Sequence, residues 1–203
     1  MNTFSHFLRR FRDDEEGVAA VELLLAIPIL VWALLSTLVY FDAYQNEAIS
    51  TRAGLTLADA VSRERNAVDD IYITNMRNVL RVLTRVESNP ALRVTVYRYR
   101  ASGDRYMVVW SKDESGDMGG DLTTVELQLM RDRLPIMADG DRAILVETRT
   151  NYTAPFSVGM GPFFGSGLER LEFNSLTVIT PRFMETICFD PTPSLPASGD
   201  ELC

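Results

Sequence analysis

Beyond residue 41 this 203-residue chain contains no histidine, and its single one, His6, lies in a short charged N-terminal stretch. Nucleophilic catalysis by serine or cysteine normally needs a neighbouring base, usually histidine, so most of the chain lacks the usual basis for it. Glycine-rich phosphate loops, G-x-S-x-G and Cys-x-x-Cys are missing as well. The acid pairs Asp69-Asp70 and Asp113-Glu114 read as caps and solvated faces. A glycosidase-type carboxylate pair leaves no local signature, but nothing here points to one, and we read the chain as no enzyme and expect no cofactor. Cysteine is scarce: Cys188 and Cys203 are the only two, and without histidine beside them a structural zinc site is disfavoured. Charge is nearly missing from Val18 to Phe41, 24 residues that carry only Glu22.

What is present in that stretch is length and apolarity. At a rise of 1.5 Å per residue it reaches across a bilayer core of about 30 Å, so a membrane-spanning helix is expected. Glu22 stands only five residues into it. An ionisable group in hydrocarbon costs on the order of 2.5–3.5 kcal/mol, so a compensating partner is expected. A cut after Gly17 would give Val18 a free α-amino group one helical turn from Glu22.

The net charge of −8 divides unevenly in kind: three arginines, Arg9, Arg10 and Arg12, face four acids in residues 1–17, leaving −1 there and −7 in the remainder. Lysine and arginine beside a span stay cytoplasmic, so the N-terminus is expected inside and residues 42–203 outside. A cleaved signal peptide normally has a shorter apolar region ending in an A-x-A-like site, and VYFDAYQ lacks one. An acidic exported domain would be repelled by nucleic acid, which we set aside as a partner. In an oxidising compartment Cys188 and Cys203 either pair, closing a small loop around Pro191, Pro193 and Pro196, or remain two thiols on a loose tail.

Along the exported part, Asp42 to Glu64 keeps helical spacing through Tyr44, Ala48, Leu55, Ala58 and Val61. The span either continues outward as a stalk or breaks near Gly54. Asn66 and Asp69 open a second helix with Val68, Ile71, Tyr72, Met76, Val79, Leu80 and Leu83 on one face, ending at Ser88-Asn89-Pro90. A period of two from Leu92, with Leu92, Val94 and Val96 on the apolar side, turns at residues 101–104 into Tyr106–Trp110, a hairpin with one apolar face. The loop 111–121 carries Asp113, Glu114, Asp117 and Asp121, oxygen donors suited either to a calcium ion or to a solvated turn. Asp121 caps a helix with Leu122, Val125, Leu129 and Met130 inward. Strands follow at 142–152 and 171–180. Between them the loop 155–167 combines Phe156, Met160, Phe163 and Phe164 with four glycines, and is either tucked against protein or membrane or held out for another subunit.

Arginines, then Gly17-Val18-Ala19-Ala20-Val21-Glu22-Leu23, with Pro28 further along, resemble the class III prepilin leader of type IV pilins. The likeness is greatest to the TadE/TadF-like pseudopilins of tight-adherence (Flp) pilus systems. Leu23 departs from the aromatic residue that such motifs mostly place after the glutamate. A looser likeness covers residues 92–183, in a strand with Tyr-Arg-Tyr, a helix ending in Leu-Pro and a last strand running into Pro-Arg. The resemblance implies cleavage between Gly17 and Val18 by a prepilin peptidase, Glu22 neutralising the new amine and fixing register, and Pro28 kinking the helix. It also implies lateral partners among other pilins or pseudopilins, an inner-membrane assembly platform and the lipid bilayer.

The expected protein is therefore α+β. It has a leader (1–17), a transmembrane helix (18–41), a pilin-like periplasmic domain of helices packed on a small antiparallel sheet (42–190) and a Pro/Ser-rich tail (191–203). It would be a single-pass protein of the bacterial inner membrane, with incorporation into an adhesive pilus as one fate. An uncleaved single-span anchor whose exported domain binds another envelope protein is the alternative.

Overall fold

The computed structural model describes residues 18–86, 89–159, 169–191 and 202–203. His6, the leader arginines, Gly17, Ser88, Met160, Phe163, Phe164 and most of the Pro/Ser-rich tail lie outside the described residues. Two units are distinguished, Met1–Asp42 with Ala154–Glu169, and Ala43–Thr153 with Arg170–Cys203.

Helix α1 spans Val18–Ser62, 45 residues including Pro28, with no break at Gly54. Gly54 has a packing reason: a Cβ there would stand 3.0 Å from Ser175 Oγ and 3.4 Å from Thr148 Oγ1, so the missing side chain lets helix and sheet approach closely. Nearby, Ser50 and Thr150 join their hydroxyls at 2.8 Å. The stalk alternative holds and the broken-helix alternative does not.

Helix α2 is Asp70–Thr84, capped by Asp69, whose carboxylate accepts from Tyr72 N, and stopped by Arg85 in the left-handed region (φ 53°). The buried face is Ile73, Met76, Leu80 and Thr84. This corrects the expected phase: Ile71, Val79 and Leu83 are exposed, and Val68 lies before the helix, bridged to Phe189.

Four strands, β1 Ala91–Arg100, β2 Arg105–Asp113, β3 Arg142–Thr153 and β4 Arg170–Ile179, form one antiparallel sheet in the order β2-β1-β3-β4. The hairpin β1–β2 has a bulge between Val96 and Tyr97, where Val96 pairs with Trp110 and Tyr97 with Val108, leaving Val109 without a partner on β1. The expected single apolar face is corrected, because β1 is buried at all of residues 91–97. On one side Leu92, Val94, Val96, Trp110, Ile144 and Val146 pack with Leu57, Val61, Ile73 and Leu80 of the helices. On the other, Tyr97, Tyr106, Ala143 and Leu145 pack with Leu122, Leu127 and Leu134.

The third helix, α3, is only Thr124–Leu129, and its cap is Thr123 rather than Asp121, in a reciprocal capping box with Glu126. Leu127 is its buried residue, while Val125 and Leu129, expected inward, are exposed. A 3-10 turn, Arg131–Arg133, leads on to Pro135.

Candidate functional site

The N-terminal part of α1 combines the features on which the sequence places function. Among the described residues one helix, Ala20–Ser62, is long and apolar enough to cross a membrane. Within it Leu23, Leu24, Leu25, Ile29 and Leu30 are each more than 60% exposed, so no protein among the described residues covers this surface. Glu22 is exposed too and has no ion-pair partner among the described residues. Val18 and Glu22 are separated by one helical turn, about 6 Å along the axis, so a charge at the Val18 nitrogen would face the carboxylate.

The unit containing this helix also contains the segment Ala154–Gly159. Its anchor is Trp32, whose indole N–H donates to the Val158 carbonyl at 2.9 Å. Val158 is buried, Phe156 is partly exposed, and on the helix Val39 is buried at 1% exposure. Of the apolar side chains singled out in this loop, Phe156 alone lies among the described residues, and it is exposed. Sequence reasoning did not pair Trp32 with the loop; a lone indole in an apolar run beside a glycine-rich apolar loop is the only local signal.

The acidic loop is organised around Asp113, which ends β2 instead of lying in the loop. Its carboxylate accepts from Gly116 N at 3.1 Å, Met118 N at 2.9 Å and Gly120 N at 2.9 Å. Asp121 accepts from Asp113 N, and Glu114 accepts from the Thr74 hydroxyl. These side chains therefore fold the loop on itself, and Asp117 is not gathered with them. Among the described residues no group of three or more His, Cys, Asp or Glu is arranged to hold a metal ion.

Behind this loop stands a feature that the sequence reading missed. Arg93 and Glu147, opposite each other on β1 and β3, form a two-pronged ion pair, Nε to Oε2 at 2.7 Å and Nη2 to Oε1 at 3.0 Å. Both side chains are about 10% exposed. Arg93 Nη1 further donates to the carbonyls of Met118 and Gly120, so the guanidinium ties sheet to loop.

A second polar feature is an open cleft of about 580 Å³ lined by Arg98, Asp139, Asp141, Arg142, Met184 and Glu185. Two of its acids already take backbone donors, Asp139 from Ala101 N and Asp141 from Ala138 N. At the hairpin turn Asp104 accepts from Tyr99 OH and pairs with Arg131. The Arg131 hydrogen bond, then that from Tyr99, holds the Asp104 carboxyl below the usual range, and the Thr123 N–H does the same for Glu126. Burial raises the phenols of Tyr72 and Tyr97.

Cys188 and Cys203 are joined, with Cα atoms 4.7 Å apart. The last residue of the tail is thus tied back to Cys188. Leu202 and Phe189 exchange two backbone hydrogen bonds, and Phe189 bridges to Val68. Phe189 itself is fully buried, 5.3 Å from the Trp110 ring, and Trp110 Nε1 donates to the Ile187 carbonyl.

No protein-family model, no curated protein and no solved structure matches this chain.

Proposed function

We propose that the chain is a minor pseudopilin-like membrane protein, cut after Gly17 by a prepilin peptidase and contributing to assembly of a Tad/Flp-type adhesive pilus. In this reading it lies in the bacterial inner membrane with its N-terminus in the cytoplasm and the α+β domain in the periplasm. Its apolar helix associates laterally with other pilin or pseudopilin helices. The observation that carries the reading is the placement of Glu22: an exposed carboxylate in an exposed apolar helix, one turn from the nitrogen that cleavage would free.

The physical logic is a balance of charge. Alone in hydrocarbon Glu22 costs on the order of 2.5–3.5 kcal/mol, and an ammonium one turn away, on the same chain or a neighbour, removes most of that penalty. The paired cysteines fit an oxidising compartment outside the cytoplasm. Pro28, which deprives the helix of one backbone donor, suits a rod that bends to fit among others.

Intact mass and N-terminal sequencing of the membrane-extracted protein test the proposal. A chain beginning at Val18 is expected, with Glu22→Ala impairing assembly. A chain beginning at Met1 would instead support an uncleaved anchor whose exported domain binds another envelope protein. Retained processing, assembly and surface attachment in Gly17 and Glu22 variants alike would sink the pseudopilin reading.

A further inference from the structure

We infer that the segment Ala154–Gly159 is seated in the headgroup and upper acyl region of the bilayer, held there by Trp32. The inference rests on the proposal that α1 crosses a membrane. Counted from Val18 at 1.5 Å per residue, Trp32 stands about 21 Å along the helix, while a core of about 30 Å ends near Val39. Trp32 then lies about 10 Å inside the far face of the hydrocarbon. Its indole N–H is bonded to the Val158 carbonyl, so whatever depth Trp32 takes, Val158 takes too.

Irregular backbone at membrane depth is tolerated only where its polar groups are satisfied within protein. This segment meets that condition at several atoms. Ala154 N donates to the Glu169 carbonyl, Gly159 N to Ser157 Oγ, and the Ser157 hydroxyl to Glu169 Oε1. Val158 O takes the indole, and Pro155 has no N–H to satisfy. Three side chains of the segment are exposed, the apolar Pro155 and Phe156, the latter at 39%, and Ser157, whose hydroxyl is taken up by Glu169. On the helix, Ser36 and Val39 continue the stripe of Trp32 at i+4 and i+7 and are half-buried and buried.

The alternative placement fails on length. Keeping the segment in water would require Trp32 to clear the hydrocarbon, leaving about 14 residues, or about 21 Å, to cross about 30 Å. Interfacial elements sink about 5–10 Å, which is the depth this geometry asks for, and tryptophan prefers that zone for its apolar body and polar tip.

The test uses the full-length chain in phosphatidylcholine vesicles, with a nitroxide on an introduced cysteine in each of three variants, Phe156→Cys, Leu24→Cys and Val125→Cys. Collisions with oxygen report lipid and collisions with a water-soluble nickel chelate report solvent. The expected result is a Phe156 label with an oxygen-to-nickel ratio several-fold above that of Val125 and below that of Leu24, and a fall in that ratio when Trp32→Phe removes the indole donor. A Phe156 label as wet as Val125, with Leu24 in lipid, overturns the inference and leaves the span standing. A Phe156 label hidden from both probes means that another protein subunit covers the segment, and overturns it likewise. A wet Leu24 label overturns both the inference and the membrane reading beneath it.

Discussion

Residues 20–35 and 43–62 of α1 share one backbone helix but not one environment. Apart from Glu22 the first set is apolar around its circumference, and it is exposed throughout. The second follows a stripe, Ser50, Ala53, Leu57, Ala58 and Val61, buried against the sheet and α2, with Arg52, Thr56 and Leu55 left outside. The difference teaches what each part asks of its solvent. An all-round apolar surface is stable only in an apolar medium, whereas an amphipathic one builds its own from the rest of the chain.

If that division is right, the largest damage should come from the interior of the second region. Truncating one partner of the Arg93–Glu147 pair, as in Arg93→Met or Glu147→Leu, leaves an uncompensated buried charge. It should cost about 3–5 kcal/mol in chemical denaturation of the detergent-solubilised chain, whereas the double variant should recover much of the loss. A loss in the double variant equal to the sum of the two single losses would show that the pair is not a coupled unit.

Replacing both Cys188 and Cys203 by alanine should cost about 3 kcal/mol, because the bond closes a 15-residue separation. The loss should appear in melting of the α+β unit and leave membrane extraction unchanged. A change in extraction would blur the boundary between the two regions.

Gly54→Leu sharpens the comparison along α1 itself. The side chain would meet Ser175 and Thr148, and overpacking of this kind costs about 1–3 kcal/mol. The same substitution at Ala26, in the exposed apolar stretch, should leave the melting temperature of the extracted chain unchanged.

The smallest effect concerns acid. Asp104 and Glu126 titrate below the usual carboxylate range in the folded chain, so their stabilisation is fully present above the unfolded value, near about 4, and fades as pH falls through the lower folded value. Asp104→Asn should therefore lower the melting temperature slightly at neutral pH and lessen its fall on acidification. A pH series on the two proteins checks this.

The parts of the fold set by local chemistry were legible in the sequence. The unbroken apolar run, the period of two from Leu92 and the turn at residues 101–104 each depend on neighbours in the chain. What escaped depends on distant residues. Val68 looked like the start of a helical face because its partner Phe189 is 121 positions away, and that displaced the face from Ile73 to Ile71. Arg93, Thr95 and Tyr97 looked like a solvent face because their covers, Glu147, Ser111 and Leu127, lie on other elements. At the candidate site, Glu22 and its spacing from Val18 could be read directly, while the bond from Trp32 to Val158 spans 126 positions and could not.

One unpaired residue, Val109, has a consequence for the whole sheet. Tyr106 and Trp110 are four positions apart, so plain alternation would send both rings to the same side, yet they belong to opposite cores. The extra residue inverts parity midway along the strand, letting a single short ribbon furnish a ring to each layer. Deleting Val109 would leave the two rings three positions apart, an odd spacing at which ordinary alternation already sends them to opposite sides, so the ribbon could straighten with each ring still in its own layer.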